Sequence, residues 1–143
     1  MPSGSNTIHP ELAALRDFWD EKRGDRRMPA RADIDVQELK RWLGHLALLD
    51  VVDGGRDFVF RVHGVDLVEL YGVDLTGKAL SEAGSAVEAV VLDEYRSVVD
   101  EKAPLFVKRH HAQPEKDFVG VSKLILPLSS DGETVDMILF GYY

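Results

Sequence analysis

The stretch Gly72-Val-Asp-Leu-Thr-Gly77-Lys78-Ala79 falls one residue short of the G-x-x-x-x-G-K-[ST] phosphate-binding loop. That loop needs a hydroxyl after its lysine to hold magnesium, and Ala79 has none. It also follows a strand in nucleotide-binding proteins, whereas here a short helical pattern precedes it, so its amides are poorly aimed at a phosphate. The segment reads as a glycine-punctuated turn. Among the histidines, His9, His45, His63, His110 and His111, the last two are neighbours on an expected strand. They point to opposite faces and do not share one ion. His63 could converge with one of them across a sheet, but no HxxxH or HExxH spacing supports zinc, and packing or surface roles are preferred.

Asp50, Asp57, Asp66 and Asp74 lie near expected strand ends, where a general acid or base could sit. No spacing pairs them, and acidic residues beside glycine are ordinary in turns. There is no G-x-S-x-G elbow for serine chemistry. Cysteine is absent, which excludes disulfides, thiolate metal sites, cysteine nucleophiles and flavin–cysteine adducts. Lys22, Arg23, Arg26, Arg27 and Arg31 could grip a phosphate or an acidic partner. Asp17, Asp20, Asp25 and Asp33 lie among them, so a solvated, self-paired rim is the favoured reading.

The residues that must be positioned are few enough for one domain, since 143 residues is a single-core length. A 45% hydrophobic and 29% charged composition is that of a globular chain. The net charge of −8 has the wrong sign for a general phosphate-backbone binder, so nucleic acid is not an expected partner. No apolar run approaches the roughly 20 residues that span a bilayer, and Met1–Pro10 has no apolar signal region. A bacterial, cytoplasmic protein without membrane insertion is expected. Residues 1–41 balance 8 basic against 8 acidic side chains, whereas residues 42–143 hold 9 against 17, so the excess charge belongs to the later part alone.

Pro10 suits the first turn of a helix, and Leu12, Leu15, Phe18 and Trp19 form one apolar stripe. Lys22, Arg23 and Gly24 close it, which predicts a helix over 10–23. Asp33 is expected to cap a second short helix to about residue 43, with Ile34, Leu39, Trp42 and Leu43 as its apolar positions. Leu46–Val52 and Asp57–His63 flank Asp53-Gly-Gly-Arg56 as a β-hairpin, with Phe58, Phe60 and Val62 on one face and Arg61 and His63 on the other. A short helix over 65–71 ends at Gly72. A longer one over 85–102 turns Val87, Val90, Val91, Tyr95, Val98 and Val99 inward and stops before Pro104. Strands are expected at 105–112, 118–128 and 135–143. Two strands, a helical excursion and three strands describe an α+β antiparallel sheet rather than a Rossmann-type parallel one.

That order resembles the PAS fold, a five-stranded antiparallel sheet with helices on one face, here with an added N-terminal flanking helix. The run Phe58-Val-Phe-Arg-Val-His-Gly-Val-Asp-Leu-Val-Glu-Leu-Tyr-Gly72, followed by Leu75-Thr-Gly-Lys-Ala-Leu80, is similar to the PAS core. There a strand enters an amphipathic helix ending at glycine, and a G-[KR]-x-[LF] turn follows. Leu15-Arg-Asp-Phe-Trp19, Arg27-Met-Pro-Ala-Arg-Ala-Asp-Ile-Asp35 and Leu43-Gly-His-Leu-Ala-Leu-Leu-Asp-Val51 resemble an alphaproteobacterial single-PAS family. Val36 departs from it where proline is expected. The resemblance covers residues 12–143.

The resemblance implies a sensory or protein-interaction module without catalysis of its own, and no particular cofactor. It implies a tail and flanking helix over 1–25 and a PAS-like domain over 26–143. The missing cysteine excludes a cysteine-dependent flavin photoreceptor, and the long helix has no histidine for haem. A small molecule is expected between the long helix and the inner sheet face, reached past residues 64–80, with Phe60 and Leu67 as apolar wall and Tyr71 and Tyr95 as hydrogen-bonding groups. A filled core is the alternative. Leu12, Leu15, Phe18 and Trp19 must be covered, either by the outer sheet face near Val59, Arg61 and His63 or by a second chain. A homodimer through this helix is the expectation, with a protein signalling partner besides. The competing class is a cone-shaped α+β enzyme of the ketosteroid-isomerase type. Strand order separates the two: a PAS sheet sets the last strand beside the first.

Overall fold

A computed structural model describes residues 8–83, 89–113 and 116–143, without the side chains of Leu70, Tyr71, Ala89 and residues 109–121. Helix α1 runs Pro10–Arg23. The Nδ1 of His9 accepts from the Glu11 N–H at 3.1 Å, which satisfies one of the orphan donors of the first turn. Two 3-10 stretches follow, Arg31–Asp33 and Val36–His45.

The cap of the second stretch is Asp35, not Asp33. Its carboxylate accepts from the Gln37 N–H at 2.9 Å, while Glu38 accepts from the Asp35 N–H at 3.1 Å. Asp35-x-x-Glu38 is thus a reciprocal capping pair. Asp33 closes the preceding turn instead, accepting from the Ala30 N–H at 2.8 Å.

Strands β1 (Leu46–Val52) and β2 (Asp57–His63) form the expected hairpin. Asp53, Gly54 and Gly55 turn the chain at φ values of 50°, 68° and 109°. The pairing carries an irregularity: Leu48 faces Val62 and Leu49 faces Phe60, so Arg61 is the additional residue of a β-bulge. After it the inward and outward positions exchange. Val62 is therefore exposed and His63 buried, the reverse of strict alternation from Phe58 and Phe60.

Helix α2 (Val65–Tyr71) ends at Gly72, whose φ of 82° is the left-handed cap that glycine favours. The following turn folds back onto β2. Gly77 N–H donates to the Phe60 carbonyl at 2.7 Å, and Phe60 N–H donates to the Lys78 carbonyl at 3.0 Å. The segment that resembled a phosphate loop spends these backbone groups on the edge of the sheet.

Helix α3 (Ala89–Glu101) buries Val91, Tyr95 and Val98, with Val99 partly buried. Val90, expected inward, is exposed, because it stands about 100° around the helix from the stripe through Val91. Val87 lies outside the described residues. Strands β3 (Leu105–Gln113), β4 (Lys116–Leu128) and β5 (Met137–Tyr142) complete the sheet.

The sheet order is β2-β1-β5-β4-β3, with every neighbouring pair antiparallel. The last strand lies beside the first, as a PAS sheet requires. Strand alternation feeds two cores, one on each face. Inward residues Ala47, Leu49, Phe58, Phe60, Ile125, Ile138 and Phe140 meet α2 and α3. Outward residues Leu46, Leu48, Leu124, Leu126, Leu128 and Leu139 meet α1 and the 3-10 stretches.

Helix α1 thus lies on the outer face of its own sheet, but over β4, β5 and β1 rather than near Val59, Arg61 and His63. The reason is where the outward leucines are. Val59 is only half-buried, Arg61 is exposed, and His63 faces the other core. Leu12 and Leu15 seat in a notch left by Gly141, where a Cβ would stand 2.8 and 2.9 Å from their Cδ2 atoms. Trp19 Nε1–H donates to the Pro127 carbonyl at 2.9 Å, and Trp42 Nε1–H donates to the Glu11 carbonyl at 2.9 Å.

Candidate functional site

The candidate site is the inner sheet face under α2 and α3. Phe60 comes from β2 and Leu67 from the first turn of α2. Tyr95 comes from the middle of α3, and the three are 0%, 2% and 0% exposed within one cluster. The sheet therefore brings together three of the four residues expected to line a pocket. The side chain of Tyr71 lies outside those described. Tyr95 meets Phe58 edge-on at 5.5 Å and stacks on Phe140 at 5.7 Å, so both strands of the sheet's centre and edge fix its ring.

Lys123 is the residue that the sequence reading missed. It stands on β4 two positions before Ile125 and shares its inward face, only 2% exposed. Its Nζ donates to the Tyr95 hydroxyl at 2.8 Å. The same ammonium lies 4.2 Å from the ring centre of Phe140, 4.5 Å from that of Tyr95 and 5.6 Å from that of Tyr142. Aromatic faces attract a cation, and the attraction grows where water is excluded. The signal was available: in Ser122-Lys-Leu-Ile-Leu126, a period of two puts the lysine on the face of Ile125.

His63 is the second polar group of this face. Its ring lies 5.0 Å from that of Phe60, and its Nδ1 accepts from the Leu75 N–H at 3.1 Å. A ring accepting at Nδ1 carries its proton on Nε2 when neutral. Burial pushes its pKa down, opposed by the carboxylate of Asp74 at 3.9 Å. Arg61 points outward as expected and pairs with Asp50.

The four residues expected at a dimer interface are divided. Leu12, Leu15 and Trp19 are buried in the chain's own outer core, while Phe18 is half-buried, 5.7 Å from the ring of Trp42. The basic loop is self-paired at two points, Arg23 with Asp20 at 2.8 Å and Arg26 with Asp33 at 2.7 Å, as the rim reading expects.

A third cluster closes one end of the sheet. Tyr143 stacks between His9 at 4.9 Å and His45 at 4.0 Å. His45 meets the Tyr142 carbonyl through Nδ1 at 2.9 Å and the Asp66 carboxylate through Nε2 at 3.1 Å.

A 2-1-5-4-3 antiparallel sheet with an aromatic inner face under two crossover helices defines a PAS-type sensory fold. The chain belongs to the PAS domain family, whose sequence profile matches residues 7–143 and so takes in α1. No curated protein matches it.

Among solved structures, it is similar to the PAS domain of BvgS from Bordetella pertussis at 15% identity and a TM-score of 0.50, covering 94% of this chain and 85% of that one. It is also similar to a Light-Oxygen-Voltage domain studied with a flavin analogue, at 14% identity and a TM-score of 0.50, over 76% of this chain and 82% of that one. The dark-state LOV domain of Aureochrome1 matches at 10% identity and a TM-score of 0.50, over 76% and 80%. At these identities the likeness is one of fold. Among the described residues, no helix is long and apolar enough to cross a membrane.

Proposed function

We propose that the chain is a cytoplasmic regulatory module without catalysis of its own, which takes a small molecule against the inner sheet face and passes its state to a protein partner. The observation that carries this reading is the inner face itself. Phe60, Leu67 and Tyr95 converge there, and Leu67 is contributed by α2, a helix of 7 residues. An isolated helix of that length has little stability of its own, so its opening depends on its tertiary contacts. The ligand reaches the face past residues 64–80, where Gly72 and Gly77 hold the turns at φ values of 82°.

Homodimerisation belongs to the reading. With Leu12, Leu15 and Trp19 spent inside the chain, Phe18 is the member of the four that offers apolar surface to a second copy. The test of the module is native mass spectrometry of protein purified from its source. A co-purifying small molecule, released when the chain is unfolded, is the expected result. A chain that carries nothing, and that no soaked metabolite stabilises, reduces the reading to protein–protein contact alone.

A further inference from the structure

We propose that the stack of His9, Tyr143 and His45 is a proton-operated exchange, in which mild acid releases the first turn of α1 and fastens the start of α2 to the end of β5. The ligand it takes is the proton itself, so the inference stands apart from any small molecule on the inner face.

The two imidazoles flank one phenol ring, at 4.9 and 4.0 Å, yet they make opposite demands on a proton. His9 Nδ1 accepts from the Glu11 N–H at 3.1 Å, so this cap requires a bare Nδ1. A proton there sets two donors against each other and puts a cation at the positive end of the α1 dipole. His45 is the reverse. Its Nδ1 lies 2.9 Å from the Tyr142 carbonyl and its Nε2 lies 3.1 Å from the Asp66 carboxylate, and both of those oxygens are acceptors. A neutral ring has one N–H and serves one of them. The imidazolium serves both. Proton uptake therefore undoes a bond at His9 and completes one at His45.

The surroundings suit such an exchange. Gly44 leaves the Asp66 carboxylate its room, since a Cβ there would stand 2.5 Å from Oδ2. Besides Asp66, the charged groups acting on Tyr143 are Glu11 and Arg41, which are paired with each other at 2.9 Å. Burial, and after it the Glu11 carboxylate, pushes the Tyr143 pKa up against the opposing Arg41, so the phenol stays neutral while the rings beside it titrate. His45 and Asp66 both keep solvent contact, which gives the proton access and keeps the new tie modest. Histidine is the side chain that ordinarily changes charge between about pH 5 and 8, so the exchange falls in that range.

The test is amide hydrogen exchange of the full chain, read by NMR at pH 7.5 and 5.5 as protection relative to an unstructured peptide at the same pH. In acid, protection of the Glu11 amide should fall about tenfold, the size of a lost helix cap. Protection of the Val68 amide, which donates to the Gly64 carbonyl in the first turn of α2, should rise about threefold, the size of an exposed ion pair. His9→Asn supplies a cap that does not titrate, so it should hold the Glu11 amide level at both pH values. His45→Phe keeps a ring against Tyr143 without either nitrogen, and Asp66→Asn keeps the shape without the charge. Each should abolish the rise at Val68 and leave the fall at Glu11.

A Glu11 amide equally protected at both pH values overturns the proposal, as does a fall that persists in His9→Asn. A fall at Glu11 with no rise at Val68 leaves a titrating cap and overturns the exchange. Two protections that fall together report a general loss of stability in acid, and overturn it as well.

Discussion

His63 shows how one inserted residue changes what a side chain can do. The bulge at Arg61 turns its imidazole into the inner core, where it accepts from the Leu75 N–H and burial favours the neutral ring. Its folded pKa therefore lies below the ordinary value, so the unfolded chain takes up the proton first as pH falls. Stability should be at its full value above a pH of about 6.5 and decline below it, until the native ring itself protonates. Urea unfolding across that range checks the slope. His63→Leu should flatten this contribution while lowering stability by about 1–3 kcal/mol, because the buried Leu75 N–H loses its acceptor. A slope unchanged by the substitution would assign the pH dependence to other groups.

Elements come next, and their glycines differ in a way the sequence alone does not rank. A Cβ on Gly64 would stand 2.3 Å from the carbonyl oxygen of Gly44, which is backbone and cannot step aside. A Cβ on Gly141 meets the methyl ends of Leu12, Leu15 and, less closely, Leu46, all of them side chains. Gly64→Ala is expected to prevent the β2–α2 corner from closing and to cost more than Gly141→Ala, with denaturant midpoints as the measurement. Trp19→Ala should remove about 3–5 kcal/mol, since it vacates the outer core and strands the Pro127 carbonyl.

Most element boundaries were legible because each carries its own chemistry: Pro10 and Gly24 around α1, Asp53-Gly-Gly around the hairpin, Gly72 after α2. The bulge was not. Phe58, Phe60 and Val62 make an unbroken alternation, and a valine fits either face, so nothing local reveals that Arg61 is additional. Nor was the seat of α1, which depends on leucines from three strands that meet only in the folded sheet. Within the site, Phe60, Leu67 and Tyr95 were legible as apolar-face positions. Lys123 was passed over because a charge within a strand ordinarily marks the solvent side.

At the scale of the molecule, the outer sheet face is already covered by α1 and the 3-10 stretches, so it is closed to a second copy over the leucine patch. Assembly through α1 must use its far side. Phe18→Asp should therefore shift a dimer to monomer in sedimentation with little loss of stability. A dimer that survives the substitution places the interface on another surface.

Strand β5 gives this arrangement a mechanical meaning. Phe140 and Tyr142 press on the inner core, while Leu139 and the bare backbone of Gly141 receive α1 from the other side. The two cores are thus separated by the thickness of a single strand. The sheet acts as a drumskin: a push on the aromatic side at Phe140 is met by Leu12 and Leu15 one residue away, with no detour around an edge. A displacement of Phe140 beneath α3 is therefore carried directly to the helix on the opposite face.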